Sequence, residues 1–125
     1  MGSPKRQLKF TIPGLYHPID IYLVSRRYIH SKFRADGGSI GKGETVNGYY
    51  TAEENKIFIC YELARERRSH TLFHEIVHHI EEEASELGEE DRCDIVGAYI
   101  LNLMNNEDFR EVLRKIESHI GKVTR

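Results

Sequence analysis

The spacing of apolar residues changes from alternating to helical near Ser69, and this change constrains the fold more than any other feature. Before it, residues 7–12 alternate up to a turn at Pro13-Gly14, and residues 19–25 alternate apolar and polar side chains, which predicts a strand over 19–25. After it, apolar residues recur every three or four positions through three successive segments. Strands followed by helices indicate an α+β domain.

The strands are predicted to form a small antiparallel sheet of about three members. Residues 48–51 and 56–61 form a hairpin across the polar turn at 52–55. Before the hairpin, residues 35–48 contain five glycines, which predicts a mobile loop. A short helix is also predicted over 27–33, between the first strands and this loop.

Three helices are predicted in the second half of the chain. The first has Ser69 as its N-cap and an apolar stripe made of Leu72, Phe73, Ile76, Val77 and Ile80. The second, at about 89–104, is apolar around much of its circumference, so we expect it to be central. The third follows the cap residue Asn106 and is predicted to cover the core as an amphipathic helix.

Length and charge indicate one domain and argue against a nucleic-acid binder. The 125 residues fit a single domain over 1–125, with 1–6 expected to be disordered or a remnant of expression. The net charge of −2 lacks the basic footprint of a nucleic-acid-binding protein. Nucleic-acid binding through the basic residues at 26–28 and 32–34 is therefore the weaker hypothesis, and ordinary exposed basic residues explain them.

Hydropathy and cysteine usage predict a cytoplasmic protein with no membrane segment. No apolar run approaches the roughly 20 residues that a spanning helix needs. Cys60 and Cys93 fall in segments predicted to be a buried strand and a buried helix, and they lack the C-x-x-C spacing of zinc sites. A reducing compartment is the simplest interpretation.

The sequence His74-Glu75-Ile76-Val77-His78 lies within the first long helix and predicts a zinc site. Residues four apart share a helix face, so His74 and His78 can both reach one ion at about 2.0–2.1 Å. Glu75 lies about 100° around the helix from His74 and can contact a zinc-bound water without being a ligand. The alternative is a pair of surface histidines with no metal.

A catalytic zinc site needs a third protein ligand, and the following helix offers four acids: Glu89, Glu90, Asp91 and Asp94. Glu90 and Asp94 share a face, so one can bind the metal while the other holds a ligand histidine. If the first helix ends near residues 82–83, Glu90 comes level with His78. If the helix continues to Gly88, Asp94 is better placed.

Other polar residues of the same helix are predicted to be exposed. His70 lies one turn before His74, and His79 is rotated about 100° from His78. Both are interpreted as surface residues. The run 81–83 of three glutamates is interpreted as a solvated helix end whose charge raises the basicity of the nearby site.

The stretch 68–78 resembles the start of the active-site helix in ImmA/IrrE-type zinc peptidases. It is also similar to a group of small phage and prokaryotic predicted metallopeptidases, with a β-hairpin, a T-L-x-H-E-x-x-H helix, an acidic turn (here 87–90) and a second helix ending in an Asn-containing cap. Residues 90–97 are similar to the E-x-x-x-D helix of thermolysin-like gluzincins. That similarity implies Glu90 as the third zinc ligand and Asp94 as the residue that supports the site.

The resemblance implies a minimal zincin-like fold and a cytoplasmic hydrolase that binds Zn²⁺. A zinc-activated water would cleave peptide bonds of a protein or peptide substrate, with Glu75 as general base. Strand 56–61 is a candidate to hold an extended peptide, and Tyr49 or Tyr50 is a candidate oxyanion donor, although ordinary sheet packing is the favoured interpretation of the two tyrosines. The alternative is a catalytically silent module that binds zinc or a partner. Because the chain is short, a homo-oligomer is one way to complete the cleft.

Overall fold

The computed structural model describes residues 8–119, which form four strands and four helices. In chain order they are β1 (Leu8–Ile12), β2 (Ile19–Val24), α1 (Arg26–Ala35), β3 (Gly48–Thr51), β4 (Lys56–Cys60), α2 (Arg65–Glu83), α3 (Glu89–Met104) and α4 (Glu107–Ser118). The predicted α+β class is confirmed. None of the helices within 8–119 is long and apolar enough to cross a membrane.

The sheet has four strands in the order β1-β2-β4-β3 and is mixed. The outer pairs β1–β2 and β3–β4 are antiparallel, whereas the central pair β2–β4 is parallel. The prediction of about three antiparallel strands is therefore wrong in two respects. β1 adds a fourth strand, and the connection through α1 carries the chain to the far edge, so that β4 returns beside β2 in the same direction.

Helices cover both faces of this sheet. One face presents Ile21, Leu23, Ile57 and Ile59 to a core shared with α2, α3 and α4. The other face presents Val24, Phe58 and Cys60 to Ile29 of α1. Because both faces are buried, β4 is a nearly continuous apolar run rather than an alternating one.

Helix α2 begins four residues before the predicted N-cap Ser69. The turn that precedes Ser69 is held by Arg68, a buried side chain whose guanidinium donates hydrogen bonds to four backbone carbonyls, those of Tyr61, Leu63, Ile116 and His119. The Ser69 hydroxyl is not a cap and instead donates to the Glu117 carboxylate of α4. Long-range contacts thus extend the helix beyond the point that local sequence indicates.

Helix α3 is not central, and that prediction is wrong. Only Tyr99 and Leu103 are buried on α3. Ile95 and Val96 are partly buried, and three further apolar side chains are 45–64% exposed, namely Ile100, Leu101 and Met104. Cys93, predicted to be buried, is also exposed. The reason is that α4 packs against both α2 and β1 and takes the inner position, which leaves α3 outside.

Helix α4 agrees with its prediction. The Asn106 side chain accepts a hydrogen bond from the Phe109 N–H at 2.8 Å, as expected of an N-cap. Its buried residues are spaced three and four apart: Phe109, Val112 and Ile116. The helix α1, predicted over 27–33, is also confirmed and is capped by the Ser25 hydroxyl.

Candidate metal and peptide site

A solvent-open pocket lies between α2 and β3, the strand at the edge of the sheet. Helix α2 contributes the two histidines and the glutamate of the H-E-x-x-H sequence, and β3 contributes backbone and aromatic side chains. The pocket is lined by Phe33, Gly48, Tyr49, Tyr50, Ala52, His74, Glu75, His78, Glu81 and Glu82. His74, Glu75 and His78 are therefore gathered on one surface.

The two imidazoles stand side by side on the exposed side of α2. The ring centroids of His74 and His78 are 5.0 Å apart, and the ring planes are inclined by 74°. Glu81 Oε1 lies 4.0 Å from His78 Nδ1. Two exposed imidazoles one turn apart have the spacing that the two-histidine part of a zinc site requires.

The Glu75 carboxylate lies against β3, and the residue is only 6% exposed. Burial raises the pKa of its carboxyl to about 7, against the opposing effect of a hydrogen bond from the backbone N–H of Tyr50. The strand approaches so closely that a Cβ on Gly48 would lie 3.0 Å from Glu75 Oε2 and 2.5 Å from Thr71 Cγ2. A glycine at position 48 is what allows the edge strand to contact this carboxylate.

The structure does not bring the predicted third ligand to the pocket. Glu90 and Asp94 are exposed on α3, and neither lines the pocket. Helix α2 ends at Glu83, the early end that favoured Glu90, but α3 packs against α4 and not along α2. Between residues 8 and 119, no three His, Cys, Asp or Glu side chains are grouped closely enough to hold a metal. His74 and His78 offer two imidazole ligands for a zinc ion, and the role of Glu90 or Asp94 stays a prediction.

Both tyrosines considered for oxyanion stabilisation line the pocket, but each hydroxyl already has an acceptor. The Tyr49 hydroxyl donates to Asp36 Oδ2 at 2.9 Å, and the Tyr50 hydroxyl donates to Asn55 Oδ1 at 3.1 Å. Burial raises the pKa of both phenols to about 12, so both keep their protons at neutral pH. Donation to a substrate would require one of these hydrogen bonds to break.

The strand predicted to hold a substrate, 56–61, cannot do so. Within it, β4 pairs with β2 on one side and with β3 on the other, so its backbone donors and acceptors are already used. The strand beside the pocket that pairs with only one other strand is β3. Which strand can pair with a substrate depends on the strand order of the sheet, and the sequence did not reveal that order.

His79 was predicted to be exposed, and this is wrong, because the residue is fully buried. Its Nε2 accepts the N–H of Leu15 at 2.9 Å, and its Nδ1 lies 3.0 Å from Asn55 Oδ1. An imidazole that accepts at Nε2 carries its proton on Nδ1, and burial lowers its pKa, so the ring is neutral. Helical spacing could have predicted this burial, because His79 follows Leu72 and Ile76 on the stripe of α2 that faces the core.

The glutamate run at the end of α2 is only partly solvated. Glu81 and Glu82 are exposed as predicted, but Glu83 accepts hydrogen bonds from the Tyr16 N–H at 2.9 Å and from His17 Nδ1 at 3.0 Å. Although burial alone would raise the pKa of Glu83, these hydrogen bonds hold it below its usual value. Glu83 and His79 thus tie the 13–18 loop to α2.

Replacing His79 by Leu is expected to destabilise the fold by about 2 kcal/mol, because a side chain of similar size leaves the partly buried Leu15 N–H without its acceptor and the Asn55 amide oxygen with only the Tyr50 hydroxyl as donor. Urea unfolding followed by circular dichroism measures the change. The matched control is His70→Leu, which changes an exposed histidine of the same helix and should alter stability by less than about 0.5 kcal/mol. Equal stability of the two variants would contradict the role given to His79.

Comparisons of the chain with protein-family models, with curated proteins and with solved structures find no match in any of the three. The similarity to ImmA/IrrE-type peptidases therefore rests on the residues of the sequence. What the chain does has to be inferred from the chemistry of its own pocket.

Proposed function

We propose that the protein is a zinc-dependent metallopeptidase of the minimal, zincin-like kind that ImmA/IrrE-type peptidases represent. The observation that carries this proposal is the convergence of His74, Glu75 and His78 on one open pocket beside the edge strand β3. A metal, a proton acceptor and a peptide-binding strand are the three parts that such a hydrolase requires. The substrate under this proposal is a protein or peptide.

His74 and His78 would hold the zinc ion, with Glu90 proposed as third ligand and Asp94 as a residue that orients a ligand histidine. When bound, zinc polarises the scissile carbonyl and makes water nucleophilic at neutral pH. Both histidines are exposed, so the ion reaches them without an opening motion of the core.

Glu75 is proposed to accept the proton of the attacking water and to return it to the leaving amine nitrogen. Its place suits this role, because the carboxylate lies in the pocket wall beside Gly48 and is held by the Tyr50 N–H. A carboxylate fixed on one side by a backbone donor has little freedom to turn away from the substrate.

Strand β3 is proposed to bind the substrate as an added strand. One side of β3 pairs with β4, and its other side has no strand partner within the described part of the chain. An extended peptide can pair with the backbone groups of such an edge that are not already engaged, as the Tyr50 N–H is by Glu75, and so be held in register. Because Gly48, Tyr49 and Tyr50 also line the pocket, a peptide on this edge passes next to Glu75.

Metal analysis tests the base of this proposal. Protein purified in the presence of zinc should contain about one zinc ion per chain. We expect His74→Ala to weaken zinc binding by roughly 100-fold or more. The loss of a direct ligand should lower metal affinity at least as much as the loss of a residue that only orients a ligand. Glu75→Gln should retain the metal, because Glu75 is not a ligand.

The matched control is His70→Ala, which removes an exposed imidazole one turn before His74 and should keep its zinc. A parallel measurement on Glu90→Gln and Asp94→Asn tests the proposed third ligand, for which the larger loss is expected at Glu90. Wild-type protein that holds no zinc, or equal zinc loss in the His70 and His74 variants, would rule out the proposed site.

A second candidate function is a catalytically silent module that binds zinc or a protein partner on a peptidase-like scaffold. It is favoured by one observation: within residues 8–119 no third ligand side chain is grouped with His74 and His78. The two functions differ in their expected results. The silent module retains zinc or a partner and hydrolyses no peptide, whereas the peptidase loses hydrolysis when Glu75 is replaced.

A further inference from the structure

A second pocket lies at α1, on the face of the sheet opposite to α2. Three of its lining residues are arginines, Arg26, Arg27 and Arg34, and they are joined by His30 and Ser31. The one carboxylate in its wall belongs to Glu62. Three positive charges against one negative charge leave the lining strongly basic, although the whole chain has a net charge of −2.

The two outer arginines are not neutralised by the protein. Arg27 and Arg34 are exposed, and neither forms an ion pair with a carboxylate in the described region. They are seven positions apart on one helix, which places them on the same face at a separation of about 10 Å along the axis. Lys32 of the same helix differs, because it pairs with Asp36 and Glu54 and so points to the other side.

The inner groups of the pocket leave donors unused. Arg26 donates from Nη2 to Asn47 Oδ1 at 3.2 Å, but its Nε is buried and has no partner among the described residues. His30 accepts the Val46 N–H at Nε2, so the neutral ring carries its proton on Nδ1. Glu62 forms no ion pair with an arginine side chain in the described region, and its Oε1 accepts the backbone N–H of Arg26 at 2.8 Å.

We propose that the pocket formed by Arg26, Arg27, His30, Ser31 and Arg34 binds a phosphate group. Guanidinium groups present pairs of N–H donors that match the oxygens of phosphate, and they do so more specifically than lysine. The Ser31 hydroxyl and the His30 ring add neutral donors. Phosphate suits this set because it carries several acceptor oxygens and up to two negative charges.

The phosphate can belong to a small phosphorylated molecule or to the backbone of a nucleic acid, and the two sources are separated by experiment. In one arm, inorganic phosphate is titrated into ¹⁵N-labelled full-length protein, and the arginine side-chain Nε–Hε resonances are followed by NMR. In the other arm, a fluorescent single-stranded DNA of 12 nucleotides is titrated and its anisotropy is measured at low salt. We expect saturable binding in at least one arm.

The decisive variant is Arg27→Gln with Arg34→Gln, which should weaken that binding by about tenfold or more. Its matched control is Arg67→Gln with Arg110→Gln, which removes the same charge from exposed helical positions outside the pocket and should leave the binding within about twofold. Binding of phosphate itself indicates a small ligand, and binding of DNA alone indicates a nucleic-acid backbone. The absence of binding in both arms, or equal weakening in the two double variants, would overturn the proposal. Zinc content does not enter either readout, so this test is independent of the proposed peptidase.

Discussion

Replacing Glu75 by Gln is expected to reduce peptide hydrolysis by about 10²–10⁴-fold, because the side chain keeps its size but can no longer accept a proton. The carboxylate is buried beside Gly48 and receives the Tyr50 N–H, so the amide of glutamine can occupy the same place. Zinc content should stay unchanged, which separates loss of the proton acceptor from loss of the metal.

Cleavage can be measured on a broad mixture of peptides instead of a single chosen substrate. A library of peptides from a digested proteome is incubated with zinc-loaded protein, and new termini are counted by mass spectrometry. Glu82→Gln is the matched control, since Glu82 also lines the pocket but is exposed at its rim. Equal cleavage by the wild type and by Glu75→Gln would contradict the role of Glu75. A wild type that holds zinc and cleaves nothing would favour the silent module instead.

Replacing Arg68 by Met is expected to destabilise the fold by about 3 kcal/mol, since four backbone carbonyls lose their common donor. These carbonyls belong to Tyr61, Leu63, Ile116 and His119. Removing a buried positive charge recovers part of this cost, which keeps the expected value below the sum of four lost hydrogen bonds. The effect is large because Arg68 joins the end of β4, the start of α2 and the end of α4.

Thermal and urea unfolding of Arg68→Met beside Arg67→Met measures this effect. Arg67 is the neighbouring arginine and is exposed, so its replacement should change the free energy of unfolding by less than about 0.5 kcal/mol. If Arg68→Met also loses less than about 1 kcal/mol, the carbonyls find other donors and Arg68 is not a structural link.

Local patterns predicted most of the individual elements. The hairpin of β3 and β4, the cap of α4 at Asn106 and the short helix α1 all agree with the structure, because each depends on residues close together in the chain. The start of α2 was missed because Arg68 is held by carbonyls up to 51 positions away. The position of α3 was missed because an apolar circumference indicates burial but not which helix takes the inner position.

The candidate site likewise has some features that local sequence predicts and others that depend on residues distant in the chain. Helical spacing explains why His74 and His78 are adjacent, and why Glu75 lies about 100° around the helix from His74. The burial of His79 depends on Leu15 and Asn55, which lie on other elements. The distance between Glu90 and the two histidines depends on how α3 packs, and local sequence patterns do not predict that packing.

Local sequence patterns were enough to predict the α+β class, most element bounds and the helical face that carries the two imidazoles, since these depend on periods of two or 3.6 residues and on caps. Three other features came from the packing of the elements: β3 is the edge strand, Gly48 lies against Glu75, and three arginines of α1 line one pocket. These features depend on strand order and on which faces pack together. Both arise from contacts between residues distant in the chain, and short-range periodicity carries no information about them.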